Sequence, residues 1–423
     1  MIRDALISTF RQLIRLYFRD IERLGVSPGA DTRGRVFVAN HTNALIDPVV
    51  VMTDTKANIS PVAKSTLWNV PGLSWLLNKA GAVPIVRRSD SPDKAAGSNN
   101  DVFDKIASHL GGGGNILIFP EGTSHSEPTL APLRTGAARM MAAAAAREEI
   151  PPTFQAVALE FDDRTDFRSR ALIVWGPVRQ FADVPGEGEE KIANATAQMK
   201  EDLEDLLVDA ETHEDRLRIA RVAEMFANDA GDRTLGGWSE TGRRVEIAQR
   251  TLRSAEPRLI AQITELVDAY YAEVERLGVD DAQVLGLPAP SRPAEPLWKR
   301  AVLAPLAASG FALYAIPYFI PRWLARNADA DAVSTFKLGA ALVVYPLWAA
   351  GLVTGSFMLL PPPLSVVGAA VAVTSPFAAL RWMDDIYQRR PALPEEERAR
   401  LARLRISAKT ALEEARSRVE NLA

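Results

Sequence analysis

The sequence predicts an α/β domain with a central sheet, followed by a helical extension and then by C-terminal membrane helices. Three observations carry this prediction. Between Val36 and Pro177, short apolar runs alternate with helical stretches, the pattern of strands and helices layered on one sheet. Residues 187 to 280 are rich in Glu, Ala, Leu and Arg at helical spacing and hold no strand of convincing length. Ala301 to Ile320 and Leu338 to Leu360 are free of charge over 20 and 23 residues, each long enough to cross about 30 Å of hydrocarbon.

In chain order, the first segment reads as an amphipathic helix over residues 1 to 27. Leu6, Phe10, Leu13, Ile14, Tyr17, Ile21 and Leu24 recur at three and four, with Arg3, Arg11, Arg15 and Arg19 elsewhere on the helix. The segment lacks the continuous apolar core and cleavage site of a signal peptide. Such a helix lies in a lipid interface or packs on its own domain. Residues 28 to 182 form the α/β domain, with strands at Val36 to Ala39, Val83 to Val86, Asn115 to Phe119 and Leu172 to Trp175, and helices at Lys94 to Leu110 and Thr135 to Arg147. The helical extension covers 183 to 287.

A proline-rich linker follows at 288 to 300, with Pro288, Pro290, Pro293 and Pro296. Membrane segments occupy 301 to 380, including a third apolar stretch, Leu364 to Leu380, set off by Pro361-Pro362-Pro363. The tail, 381 to 423, is a charged helix with apolar Leu401, Leu404, Leu412 and Val419, read as a pairing or docking element. Three full crossings would put Arg381, Arg389, Arg390 and the later arginines across the membrane from a cytoplasmic catalytic domain, against the positive-inside tendency. One stretch is therefore expected to be re-entrant or interfacial, either the first, interrupted by Pro305 and Pro317, or the third.

At 423 residues the chain holds two or three domains. Its 49 basic and 53 acidic residues leave a net charge of −4, which gives no sign of a nucleic-acid partner. The absence of cysteine rules out disulfides and a thiol acyl-enzyme, and fits a reducing compartment.

The chemistry gathers at strand ends. In Asn40-His41-Thr42-Asn43-Ala44-Leu45-Ile46-Asp47-Pro48 a histidine and an aspartate follow a strand. A neutral imidazole oriented by a carboxylate can take the proton of a hydroxyl whose oxygen then attacks a carbonyl. Near residue 120, a strand stops at Pro120 and turns on Gly122, delivering Glu121, which could order an arginine, bind an acceptor hydroxyl or stabilise the turn. The Val83 strand runs into Arg87 and Arg88, and Phe167-Arg168-Ser169-Arg170-Ala171 precedes the Leu172 strand.

Arg87, Arg168 and Arg170 are candidate phosphate ligands, with Arg88 and Arg134 weaker ones. The alternative is that they pair with acids such as Asp162, Asp163 and Asp166. His125 follows the Glu121 turn and is a further candidate for the site, whereas His109 and His213 read as structural or solvated. No Gly-x-Ser-x-Gly elbow, Walker pattern or metal-ligand cluster is present, so neither a metal nor a bound cofactor is expected.

These blocks, in this order, resemble the glycerolipid acyltransferases, which join acyl thioesters to glycerol phosphates. The likeness rests on His41 to Asp47, on Phe119-Pro120-Glu121-Gly122-Thr123-Ser124-His125 continuing through Leu133-Arg134-Thr135-Gly136, and on Phe167 to Ala171; it covers roughly residues 30 to 180. It is nearest the fungal-type glycerol-3-phosphate and dihydroxyacetone-phosphate acyltransferases. Five residues separate His41 from Asp47, against four in most of the wider family, and Pro84 stands where an aromatic is usual.

The resemblance implies an acyltransferase-type α/β domain with a central mixed sheet, His41 and Asp47 as the catalytic pair, and Arg87, Glu121, Gly122, Arg134, Arg168 and Arg170 as substrate-binding residues. It further implies acyl-CoA or acyl carrier protein as donor, glycerol-3-phosphate or dihydroxyacetone phosphate as acceptor, and a membrane protein in phospholipid synthesis. The alternatives are a lysophosphatidate or other lysolipid acyltransferase, a thioester hydrolase, and a non-catalytic lipid-binding scaffold.

Overall fold

A computed structural model of the chain describes residues 2–86, 92–147, 150–287, 296–388 and 393–422. The chain divides into two compact units, Met1–Arg216 and Leu217–Ala423.

The N-terminal unit is built on seven strands: β1 (Asp20–Leu24), β2 (Arg35–Ala39), β3 (Ile59–Lys64), β4 (Val83–Ile85), β5 (Asn115–Ile118), β6 (Thr153–Phe161) and β7 (Arg170–Gln180). They lie in the order β1-β7-β6-β2-β5-β3-β4. Every neighbouring pair is parallel except β6 and β7, so the sheet is mixed, as expected.

Its helices are α1 (Ile2–Tyr17), α2 (Ile46–Asp54), α3 (Leu73–Ala80), α4 (Pro92–Gly111), α5 (Gly136–Ala145) and α6 (Gly188–Glu204). Side chains alternate across a strand. Thus Val36 and Val38, Ile116 and Ile118, and Phe154 and Ala156 share one core with Ile106 and Leu110 of α4, Met140 and Met141 of α5, and Ile192 and Met199 of α6. Helix α6 therefore belongs to the core of the α/β unit, and the boundary expected at 183 moves to the end of this unit.

The N-terminal segment also departs from expectation. The helix ends at Tyr17, and Ile21 and Leu24, assigned to its apolar face, lie in β1. β1 pairs in register with β7, Asp20 with Arg170 through Leu24 with Val174. Ladder bonds offered by the open edge of β7 outweigh a helical period in a segment this short. Helix α1 packs on its own domain: Arg11 donates to the Thr53 carbonyl at 2.8 Å, Arg3 to that of Ala80 at 3.0 Å, and Ile14 and Tyr17 are buried.

The C-terminal unit contains all but the first turn of α7 (His213–Asp229), then α8 (Leu235–Ala255), α9 (Pro257–Arg276) and α10 (Asp281–Val284). Three apolar helices follow, α11 (Leu297–Leu324), α12 (Val333–Leu359) and α13 (Leu364–Gln388), and then α14 (Glu395–Leu422). All three apolar helices are long and apolar enough to cross a membrane. α11 starts inside the expected linker, whose residues 288 to 295 lie outside those described, and α13 runs into the expected tail.

The tail itself is part of a core. Leu401, Ala408 and Leu412 of α14 pack with Val222 and Met225 of α7, Leu252 of α8, Val267 and Tyr270 of α9, and Val284 of α10. Asp281, fully buried, accepts from Arg405 at 2.6 Å, Tyr270 at 2.7 Å and Asn228 at 2.8 Å, which ties α14 to α7, α9 and α10.

Candidate active site

Parallel pairing places the site. Val38 of β2 lies opposite Ile118 of β5, and each chain leaves the sheet at the same edge. Three residues beyond Val38 comes His41, and three beyond Ile118 comes Glu121. Register therefore sets them side by side, and the His41 backbone N–H donates to Glu121 Oε1 at 2.7 Å. On the other side of β2, Asn40 continues the ladder with its side chain, donating to the Leu159 carbonyl at 3.0 Å and accepting from the Leu159 N–H at 2.7 Å. The last ordered turn of the β2 strand is thereby held from both flanks.

From there the chain reverses through Ala44, whose φ of 36° puts an alanine in the left-handed region, a conformation L-residues avoid and functional loops retain. The reversal returns Asp47, in the first turn of α2, under the imidazole. Asp47 Oδ2 accepts from His41 Nδ1 at 3.0 Å and from the backbone N–H groups of Thr42 at 2.8 Å and Asn43 at 2.7 Å. The carboxylate is fully buried, and the imidazole is 13% exposed and stacked on Phe119 at a centroid distance of 4.2 Å. With Nδ1–H committed to Asp47, Nε2 carries the lone pair. In this arrangement a neutral imidazole can act as a base whose tautomer is fixed by the carboxylate.

Glu121 is almost wholly buried, and its second oxygen accepts from Ala131 N–H at 3.0 Å and pairs with His125 Nε2. His125 N–H in turn donates to the His41 carbonyl at 3.1 Å. Of the three roles open to Glu121, its contacts are those of a staple joining the His41 loop to residues 125 to 131. Gly122 adopts φ of 81°, and a Cβ there would collide with the Arg134 guanidinium, which lies across it. Arg134 is exposed and makes no ion pair among the described residues.

The Phe167 to Ala171 block reaches the same edge because β7 runs antiparallel to β6, with Phe161 opposite Ala171. Its arginines are already engaged: Arg170, buried, pairs with Asp162 at 3.0 Å and Glu22 at 3.9 Å, and Arg168 donates to the Leu16 carbonyl at 3.1 Å. Arg87 and Arg88 lie outside the described residues. A residue the sequence did not single out, Arg164, donates to the Thr42 and His125 carbonyls at 3.4 and 3.5 Å, while its own carbonyl accepts from Asn43. Its signal was a lone arginine among Asp162, Asp163 and Asp166. Asp163 is spent on the turn, accepting from the Thr165 and Asp166 N–H groups, and Asp162 on Arg170, so the arginine is turned toward the His41 loop.

A hollow beside the dyad is lined by Thr42, Glu121, His125, Pro128, Leu207 and Arg216. A larger apolar recess, beside Pro152, Phe181 and Ile192, opens at the opposite edge of the sheet, on the order of 20 Å away along β6.

Residues 19–159 match the family model described as Acyltransferase. Over 287 residues it is 26% identical to a yeast (Saccharomyces cerevisiae) protein, glycerol-3-phosphate O-acyltransferase 2, covering 59% of this chain and 37% of the yeast one. Over 121 residues it is 26% identical to a chloroplastic 1-acyl-sn-glycerol-3-phosphate acyltransferase of Brassica napus, covering 29% of this chain and 33% of that protein. The matched stretches thus span about a third of each relative. A solved 1-acyl-sn-glycerophosphate acyltransferase from Thermotoga maritima superposes with a TM-score of 0.36 at 16% identity, over 48% of this chain and 80% of that one.

Proposed function

We infer that this chain, whose residues 19–159 match the Acyltransferase family model, moves a fatty acyl group from a thioester to the sn-1 hydroxyl of glycerol-3-phosphate or dihydroxyacetone phosphate. The observation that carries the reading is the His41–Asp47 pair, 3.0 Å apart, with Nε2 left free to act as the base.

A thioester carbonyl is already activated, so the enzyme must deprotonate the acceptor, hold it about 3 to 3.5 Å from the carbonyl carbon and stabilise the developing charge. In this reading, Nε2 takes the hydroxyl proton as the oxygen attacks, Asp47 stabilises the imidazolium, and the tetrahedral adduct collapses to ester and thiolate. The thiolate then recovers the proton from Nε2 and leaves as the thiol of coenzyme A or acyl carrier protein. With no cysteine in the chain, direct transfer is favoured over an acyl-cysteine intermediate.

For the acceptor phosphate, Arg134 is the described cation best suited, being exposed and poised over Gly122. Arg87 is assigned to it by resemblance alone. Arg168 and Arg170 contribute by ordering the loop against Asp162 and α1, with Arg164 bracing the His41 turn. Acyl chains partition into bilayers while glycerol phosphates stay in water, so a catalyst joining them belongs at the interface. The three apolar helices supply that location, with the catalytic domain assigned to the cytoplasmic side, where acyl thioesters are made.

Similarity to the plant enzyme supports a second reading, acylation of lysophosphatidate. Membranes bearing the protein, given labelled acyl-CoA or acyl carrier protein and each acceptor separately, are expected to form lysophosphatidate from glycerol-3-phosphate. Product from lysophosphatidate alone would replace the first reading with the second. Fatty acid released without acceptor would make the protein a hydrolase, and no turnover with any pair would leave a lipid-binding scaffold.

A further inference from the structure

We propose that only two of the three apolar helices cross the bilayer, α11 and α13, and that α12, the most apolar, begins and ends in the leaflet far from the helical core. Independent observations within the C-terminal unit meet in this arrangement. The first is where the chain enters and leaves the apolar region. Helix α10, just before it, and helix α14, just after it, sit in one water-soluble core: Arg405 pairs with buried Asp281, and Arg398 donates to the Val284 carbonyl at 3.2 Å. Elements packed in one core lie on one side of a membrane, so the number of complete crossings between them is even.

The second observation identifies the pair. Helices α11 and α13 run antiparallel in close contact: Arg300 pairs with Asp385 at 2.6 Å, Gly310 faces Ser375 so closely that a Cβ would collide with its carbonyl, and the Tyr314 hydroxyl donates to the Ala372 carbonyl at 2.7 Å. Small residues at the crossing are what lets two helices pack in lipid. The charged ends fit an interface: Trp298, Lys299 and Arg300 begin α11, and Arg322, Trp323 and Arg326 close it. From Arg300 to Arg322 the rise is about 33 Å, close to one hydrocarbon thickness.

The third concerns the direction of α12. It is joined to the far end of α11 by residues 325 to 332. Tyr345 stacks on Tyr314, and Trp348 donates to the Leu313 carbonyl at 2.8 Å, both at the middle of α11. Later in the chain, Ser356 and Leu360 pack on Gly368. Gly368 lies one turn beyond Ala372, on the side away from Arg300 and Asp385. A helix returning across the bilayer would advance toward that ion pair; α12 moves away from it. No charged side chain occurs between Lys337 and Arg381, so nothing anchors the Pro361-Pro362-Pro363 junction in water on the near side. The sequence had pointed to the first or third stretch as the incomplete one; these contacts assign it to the second.

The natural absence of cysteine makes the test direct. Single variants Ala255→Cys, Ala330→Cys, Pro361→Cys and Ser407→Cys are placed in full-length protein in sealed vesicles and treated with a membrane-impermeant maleimide. Ala255→Cys and Ser407→Cys should label from one face, and Ala330→Cys and Pro361→Cys only from the other. Opposite faces for Ala255→Cys and Ser407→Cys, opposite faces for Ala330→Cys and Pro361→Cys, or a single face for all four would each overturn the proposal. A crosslinking pair guards against altered insertion: on mild oxidation Arg300→Cys/Asp385→Cys should crosslink within the chain, and Arg300→Cys/Leu360→Cys should not. The reverse result would mean that α12 returns across the bilayer.

Discussion

His41, Asp47 and Glu121 come together in the candidate site through two different kinds of proximity. Five residues lie between the histidine and the aspartate, and the turn through Ala44 closes that gap locally, so the pair was legible in the sequence. Glu121 reaches His41 across 80 positions only because β2 pairs with β5 in one register. Its carboxylate is fully engaged, which the sequence could not reveal. Replacing His41 with alanine should reduce acyl transfer about a hundred- to ten-thousand-fold while circular dichroism stays unchanged. Asp47→Asn should behave similarly, since the amide no longer fixes the tautomer; near-normal turnover in either variant would remove the dyad from the mechanism. Glu121→Gln keeps one acceptor oxygen, so the donors at the replaced oxygen lose theirs, at a cost of about 1–3 kcal/mol each. Maximal rate and unfolding midpoint should fall together with little change in KM for the acceptor. A rise in that KM alone would return Glu121 to substrate binding.

Among the elements, α7 carries a group that should make stability depend on pH. Glu224 is half-buried beside Asp281, and the Tyr271 hydroxyl lies 2.9 Å from its carboxyl and 2.8 Å from the Arg221 carbonyl. One phenolic proton cannot serve two acceptors, so a protonated Glu224 completes the set. Burial, with Asp281 nearby, pushes its pKa up from 4.5 to about 7. Because the folded value lies above the unfolded one, stability is full below about pH 4.5 and declines as pH rises through about 7. Amide exchange in α7 and α9 should accelerate over that window, and Glu224→Gln should flatten the response; an unchanged profile in the variant would mean another group titrates. Helix α1 and β1 teach a related lesson. Ile21 and Leu24 fit a helical stripe, but the side of β7 left open by β6 awaited them, and long-range ladder bonds decided.

At the scale of the molecule, α14 closes a helical core that begins before the apolar helices and is finished only after them. Arg405→Ala would strand buried Asp281, at about 3–5 kcal/mol, and should loosen α7 to α10 in exchange or proteolysis while residues 2 to 216 keep their protection. Equal loss in both units would show that they unfold as one. The tail's apolar positions were visible as a stripe, yet their partners lie more than a hundred residues upstream, so pairing with another molecule was as good a reading. By itself the sequence determined the alternation of strand and helix, the His41–Asp47 pair and the three apolar helices, because each is written in neighbouring residues. Tertiary structure alone decided the edge strand β1, the hydrogen bonds of Glu121 to the His41 and Ala131 backbones, the engagement of Arg168 and Arg170, and the return of α14 to its core. Those depend on which surfaces meet across the fold, and the free energy of such meetings is absent from any local stretch of chain.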